Sequence, residues 1–231
     1  TLASFSSRGP RGFDSMMKPE ITAPGVAIFA ANMGSGKEGV SMSGTSMAAP
    51  HVAGIAALMK EAHPTWTNEQ IKAAMMNTAV DLADPLSAEI PLQGAGRVDA
   101  FAAVTTDVIA IAESKLVSMN WGVIEVTKDT FTSVKTVTLR NFSDEKVTLD
   151  VGSYFTSDDA GATLTAGVET VTIPAHDKAK VEFTLDLDTT LLPIEYGEME
   201  EYYGYLTFNG QDANLRVPFY FVPRPFAEIT E

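Results

Sequence analysis

The chain has 231 residues, no cysteine, 16 basic against 30 acidic side chains and a formal net charge of −14. Without cysteine there is neither a disulfide framework nor a thiolate metal site; an acidic surface repels nucleic acid and anionic membranes, and no apolar run approaches the ~18 residues of a membrane span. The length suits one large or two ordinary domains, and the charge divides unevenly: residues 1–106 carry 7 basic and 9 acidic side chains, net −2, and residues 107–231 carry 9 and 21, net −12.

The chain opens on Thr1 with no charged-then-apolar leader, so a processed or cut chain is expected. Short apolar strands are predicted at Ala3–Phe5 and Val26–Ala30. The run Ser43-Gly44-Thr45-Ser46-Met47-Ala48-Ala49-Pro50-His51-Val52-Ala53-Gly54 then reads as a sharp turn into a helix. Gly44 permits the turn, Thr45 or Ser46 can cap the first helical turn, and Pro50 sits near the limit of where a helix tolerates proline. A serine in front of an alanine-rich helix is most simply an N-cap. The continuation Val52 to Met59 is apolar on nearly every face, so the helix is expected to be buried all round. The unpaired N–H groups of its first turn gather positive potential around Ser46, where an anion is favoured.

Pro64 stops this helix and leaves His63 as its C-terminal cap. Thr67-Asn68-Glu69-Gln70 has capping-box spacing, with Ile71, Ala74, Met75 and Ala79 recurring at helical intervals behind it. Gly94 and Gly96 punctuate the approach to a short helix near Arg97 to Val104. Strands alternating with helices make the first half read as the closing portion of a parallel α/β sheet. Such a portion leaves a strand edge and an apolar helix uncovered, so it is expected to pair with further sequence or another chain.

From about Asp107 the period becomes two. Thr132–Leu139 and Lys146–Val151, separated by turn residues Asn141 to Asp144, predict a hairpin. Further strands are expected at Glu169–Ile173, Lys178–Leu187, Tyr203–Phe208 and Leu215–Val222, with Asn209-Gly210 as turn chemistry between the last two. About seven short strands suggest an all-β antiparallel sandwich of immunoglobulin or fibronectin type III kind over residues 107–231, behind an α/β domain over 1–106. Asp158, Asp159, Glu198, Glu200 and Glu201 are clustered acids that could hold a structural calcium, although no loop has the spacing of a known calcium motif; no other cofactor is expected.

The twelve-residue run around Ser46 resembles the nucleophile segment of the subtilisin-like serine proteases. Other segments match in that family's order: Ala3-Ser4-Phe5-Ser6-Ser7-Arg8-Gly9-Pro10, then Lys18-Pro19-Glu20-Ile21-Thr22-Ala23-Pro24-Gly25-Val26. After the serine come His63-Pro64-Thr65-Trp66-Thr67 and Gly94-Ala95-Gly96-Arg97-Val98-Asp99-Ala100. The resemblance covers roughly residues 1–104 and is greatest to the large secreted or cell-envelope members, which often carry a β-sandwich directly after the catalytic domain. It implies that Ser46 is the nucleophile of a peptidase acting on polypeptides. It also implies that the Ser46 backbone N–H is one donor of the oxyanion hole, since acyl transfer generates an oxyanion. In the family's chain order, Asp and His precede Ser, so both, with the asparagine that completes the oxyanion hole, belong to an upstream segment of the parent protein.

The three histidines can each be weighed as a substitute base. His51, five residues after Ser46, lies about 140° round the helix and ~7.5 Å along it, so it is expected to face elsewhere with a satisfied ring nitrogen. His63 is a cap, and His176, in Pro174-Ala175-His176-Asp177-Lys178, belongs to a surface turn. Glu38 and Glu61 read as solvated charges. A serine without a base is a weak nucleophile, so the chain alone is expected to be inactive. The alternative from a different class is a non-catalytic adhesion or scaffolding module derived from a protease.

Overall fold

The computed structural model describes residues 1–84, 88–193 and 200–225. Its elements run β1 (Ile28–Ala31), β2 (Gly39–Met42), α1 (Thr45–Ala62), α2 (Asn68–Asn77), α3 (Ile90–Gln93), α4 (Ala100–Thr105), β3 (Val108–Ile111), β4 (Met119–Val126), β5 (Thr130–Asn141), β6 (Val147–Phe155), β7 (Ala162–Ala166), β8 (Thr170–Ile173), β9 (Lys178–Asp188), β10 (Tyr202–Asn209) and β11 (Asn214–Pro225).

The capping box forms as its spacing predicts. Thr67 Oγ1 accepts from the Gln70 amide at 3.2 Å, and Gln70 Oε1 accepts from the Thr67 amide at 2.8 Å. Behind it Ile71, Ala74 and Met75 are buried, as is Ala79 just past the helix. The last short helix starts later than expected. Asp99 caps α4 by accepting from the Ala102 amide at 3.0 Å, while Arg97 is extended and bridges both Thr22 and Val80.

Three expectations for the first half are corrected. Residues 3–5 form a turn, closed by the Ser6 amide on the Ala3 carbonyl at 3.0 Å, and not a strand. The strand expected over 26–30 is β1, which pairs antiparallel with β2 as a separate two-stranded ribbon, so no parallel sheet is found among the described residues of this half. Only the isolated Thr22–Arg97 bridge is parallel there. The helix expected to be buried all round has Met59 as its one buried residue, and Leu58 is 54% exposed. An apolar period identifies a surface that wants cover; it does not supply the neighbour.

The second half is a two-sheet sandwich. One sheet has order β4-β11-β10-β6-β8 and the other β3-β5-β9-β7. Alternation along β9 buries Val181, Phe183, Leu185 and Leu187 between exposed Lys180, Glu182 and Asp186. Phe183 meets Phe208 of the facing sheet edge-on, ring centroids 6.0 Å apart at 88°. The hairpin predicted over 132–151 does not form: β5 pairs with β3 and β9, whereas β6 pairs with β10 and β8. The chain crosses between sheets there, and both strands alternate because both face one core. Buried Asn141 organises the arch, donating to the carbonyls of Glu145, Pro174 and Ile173 at 2.7, 3.2 and 3.3 Å and accepting from the amide and hydroxyl of Ser143. The sandwich is also not wholly antiparallel, since β4 runs parallel to β11.

β10 and β11 do form a hairpin, closed by the Gly210 amide on the Ala213 carbonyl at 2.8 Å. Their two faces serve two cores. Tyr202, Leu206, Phe208, Leu215, Val217, Phe219 and Phe221 point into the sandwich. Tyr203, Tyr205, Tyr220 and Val222 pack instead with Met17, Met59, Trp66, Ile71, Met76 and Ile90 of the first half. Cover on both faces explains why these strands read as nearly continuous apolar runs.

Candidate functional site

The turn into α1 is built from backbone contacts. Gly44, the residue before the helix, donates its amide to the Gly25 carbonyl at 2.8 Å, and Ser43 Oγ accepts from the Ala27 amide at 2.9 Å. A side chain at position 25 has no room: a Cβ there would lie 2.8 Å from the Gly44 carbonyl oxygen and 3.2 Å from Ala48 Cβ. No side chain caps α1, so neither Thr45 nor Ser46 plays the expected capping part; the helix begins at Thr45, and the Met47 amide reaches the Gly44 carbonyl at 3.0 Å.

Ser46 is exposed in the first turn, and neither its hydroxyl nor its N–H has a hydrogen-bond partner among the described residues. An unpaired N–H at the positive end of an eighteen-residue helix is a donor ready for a developing anion. The serine borders a depression of about 420 Å³ walled by the β1–β2 ribbon, with Ile28, Ala30, Val40 and Met42, and by Met47, Pro50 and His51 of the helix. The other flank of α1, at Thr45, Ala48, Ala49 and Val52, lines an apolar groove of about 530 Å³ that continues under residues 1–6 and 19–26 and reaches Arg97.

His51 borders the same depression as Ser46, which the helical-wheel estimate did not expect. Its ring nitrogen Nδ1 lies 2.8 Å from the Met47 carbonyl oxygen, so Nδ1–H is spent on the preceding turn. No carboxylate among the described residues orients the ring, and no hydrogen bond joins it to Ser46. His63 caps α1 through its amide on the Met59 carbonyl at 2.8 Å, donates Nε2–H to the Val104 carbonyl at 2.8 Å, and stacks on Trp66 with centroids 4.0 Å apart. His176, at a surface turn, meets Asp144 with Nε2 2.8 Å from Oδ1. Glu38 and Glu61 are exposed.

Of the acids considered for calcium, those among the described residues do not form a cluster. Asp158 accepts from the Ala160 amide, Glu201 is held by Arg8 in a two-pronged contact at 2.6 and 2.8 Å, and Glu198 lies outside the described residues. Among the described residues no group of three or more His, Cys, Asp or Glu is placed to hold a metal ion. Burial and the negative field of Asp158 and Glu200 push the Tyr202 phenol up to about 12.

Sequence reading missed one cluster, between the site's foundations and the sandwich. Arg216 of β11 donates to Asp81 Oδ2 at 2.7 Å and to the carbonyls of Ala79 and Ala95 at 2.8 and 3.3 Å, with its guanidinium 4.3 Å above the Tyr205 ring. Burial and then Arg216 act in opposite senses on the Tyr205 phenol, and burial prevails, raising it. The available signal was Arg216 itself, a charge beside the long apolar run over residues 217–223 of the strand.

Residues 1–96 match the family model of the subtilases, Peptidase_S8. The chain is 35% identical over 198 residues to the minor extracellular protease Vpr of Bacillus subtilis, an alignment covering 81% of this chain and 23% of that protein. It is 49% identical over 89 residues to the CO(2)-response secreted protease of Arabidopsis thaliana, covering 34% and 12%, and 42% identical over 109 residues to subtilisin-like protease SBT1.9 of the same plant, covering 42% and 14%. The chain thus spans less than a quarter of the length of each of these relatives.

Proposed function

Because this chain belongs to the subtilase family through its residues 1–96, we propose that it is part of a secreted serine endopeptidase in which Ser46 is the nucleophile. The observation that carries this reading is Ser46 itself: exposed, without a hydrogen-bond partner at hydroxyl or amide among the described residues, at the head of α1 and beside an open depression. Ser46 Oγ adds to the carbonyl carbon of the scissile peptide while its proton passes to a histidine from the upstream part of the parent protein. The tetrahedral oxyanion accepts from the Ser46 N–H and from an upstream asparagine amide. Collapse expels the amine, which takes the proton, and leaves an acyl-enzyme that water hydrolyses to regenerate Ser46.

His51 does not serve as the base, because no hydrogen bond joins its ring to Ser46 and no carboxylate among the described residues orients it. The 231-residue chain by itself is therefore inactive. Polypeptides are the substrates, and the extracellular relatives support an extracellular or cell-envelope location. Residues 1–106 form the end of the peptidase domain, and residues 107–231 form a sandwich related to the fibronectin type III module, with the parallel β4–β11 pair as its departure from that pattern.

The test is to treat the parent protein with a serine-reactive fluorophosphonate and map the modified peptide. Covalent label on Ser46, abolished by Ser46→Ala, is the expected result. A natively folded parent that takes up no label at Ser46 overturns the assignment.

A further inference from the structure

Arg216 lies in the sandwich, but its side-chain hydrogen bonds end on Ala79, Asp81 and Ala95 of the first half. Its Nη2 binds the Ala79 and Ala95 carbonyls at 2.8 and 3.3 Å, clamping two stretches of the first half together. Its Nη1 binds Asp81 at 2.7 Å, and the Tyr205 ring forms the floor of the guanidinium site. The clamp admits no side chain at position 96: Gly96 has φ +121°, and a Cβ there would lie 2.5 Å from the Val80 oxygen and 3.4 Å from Arg216 Nη2.

From that clamp backbone hydrogen bonds lead to Thr22, and the chain from there leads to the turn before the serine. Val80 and Arg97 exchange two hydrogen bonds at 2.9 and 2.7 Å. Thr22 inserts beside them, donating to Gly96 and accepting from Val98, both at 2.9 Å. Three residues on, the Gly25 carbonyl accepts the Gly44 amide at 2.8 Å, two residues before Ser46. Ala79, Ala95 and Thr22 are thus joined through hydrogen-bonded bridges, and residues 22–25 of the chain carry a shift on to Gly25.

We propose that Arg216 is a positioning residue for the nucleophile: through this side chain the sandwich helps to fix the Gly25–Gly44 contact that sets where Ser46 stands. The inference rests on the reading of Ser46 as the nucleophile for its catalytic consequence, but the mechanical link is independent of it. A planar guanidinium with several fixed donors can hold two carbonyls and a carboxylate at once, whereas a lysine ammonium concentrates its charge at one point and satisfies fewer of them.

The experiment compares wild type, Arg216→Ala and Arg216→Lys in two readouts. Amide hydrogen exchange is followed in the 231-residue chain, and the rate of fluorophosphonate labelling is followed in the longer parent. Loss of charge-assisted bonds of this class is expected to speed exchange at the Gly44 and Val98 amides about tenfold in Arg216→Ala while β9 in the far sheet is unchanged. Labelling of Ser46 is expected to slow by a similar factor, with Arg216→Lys intermediate in both. Exchange that is unchanged at Gly44, or that rises equally in β9, overturns the proposal, and so does an unaltered labelling rate. If Arg216→Ala does not fold, Arg216→Lys is judged by the same criteria. If wild type takes no label, the nucleophile reading fails, and the exchange pattern alone decides whether Arg216 holds the turn.

Discussion

Gly44 and Gly25 meet amide to carbonyl at 2.8 Å, and this contact joins the segment that enters from residues 19–26 to the start of the helix bearing Ser46. The close approach is possible because Gly25 has no side chain. Gly25→Ala would place a methyl 2.8 Å from the Gly44 oxygen and 3.2 Å from Ala48 Cβ, both on a helix start with little freedom to retreat. We expect a loss of about 1–3 kcal/mol, the range for overpacking, read as a lower urea midpoint at unchanged m-value. A variant with wild-type midpoint would mean that the turn is softer than its contacts indicate.

The exposed hydroxyl of Ser46 gives a prediction of the opposite kind. It makes no hydrogen bond among the described residues and caps nothing, so removing it withdraws no stabilising contact. Ser46→Ala should leave unfolding free energy within about 0.5 kcal/mol of wild type, as for surface substitutions away from special features. A large loss of stability would show that the serine is a structural cap after all, which is the simplest reading of Gly-Thr-Ser before an alanine-rich helix.

Asn141 is where local pattern and tertiary structure part company. Thr132–Leu139 and Lys146–Val151 alternate as a hairpin should, and periodicity cannot tell a hairpin from an arch between two sheets that share a core. What decides is a buried amide whose five hydrogen bonds close the connection, a role that a sequence shows only as a turn residue. Local signals with their own chemistry were legible: the Thr67 capping box, the β10–β11 hairpin and the Ser46 turn. Relations across the chain were not, including the parallel β4–β11 pair and the Arg216 clamp, because each depends on partners more than ninety residues away. Asn141→Ala should strand the Glu145 and Pro174 carbonyls and cost about 2–4 kcal/mol, measured by equilibrium unfolding. A cost below about 0.5 kcal/mol would mean that water replaces the amide freely.

His63 stacks on Trp66 with centroids 4.0 Å apart, Trp66 meets Phe142 at 4.4 Å with the rings tilted by 33°, and Arg140 lies 4.8 Å from the Phe142 ring centroid. The column ties the C-terminal end of α1 to the β5–β6 connection, so the halves share it. Trp66 is only 3% exposed, and Trp66→Ala should cost about 3–5 kcal/mol. Because the core around it also contains Tyr203, Tyr205 and Tyr220, tryptophan fluorescence and sheet-sensitive circular dichroism should report one coincident transition in wild type. Two separated transitions would show that the halves unfold independently.

Glu20 supplies the pH dependence. Burial raises its carboxyl, but the ammonium groups of Lys72 and Lys18 outweigh burial, and its pKa falls below the ordinary 4.5. A carboxylate whose folded pKa is depressed binds fewer protons folded than unfolded. Its stabilising contribution is therefore fully present above the unfolded value and is lost as pH falls through the folded one. The side chain is 27% exposed, so solvent screening keeps the contribution on the order of 1 kcal/mol. Glu20→Gln should be less stable than wild type near neutral pH, and the difference should shrink steadily below about pH 4.5. Lys72→Met should shrink it too, by removing the nearer cation while leaving Lys18 at 3.0 Å. Unfolding free energies of the three proteins across pH 2–7 measure this directly, and a wild-type advantage that persists undiminished at the acid end would contradict a depressed Glu20.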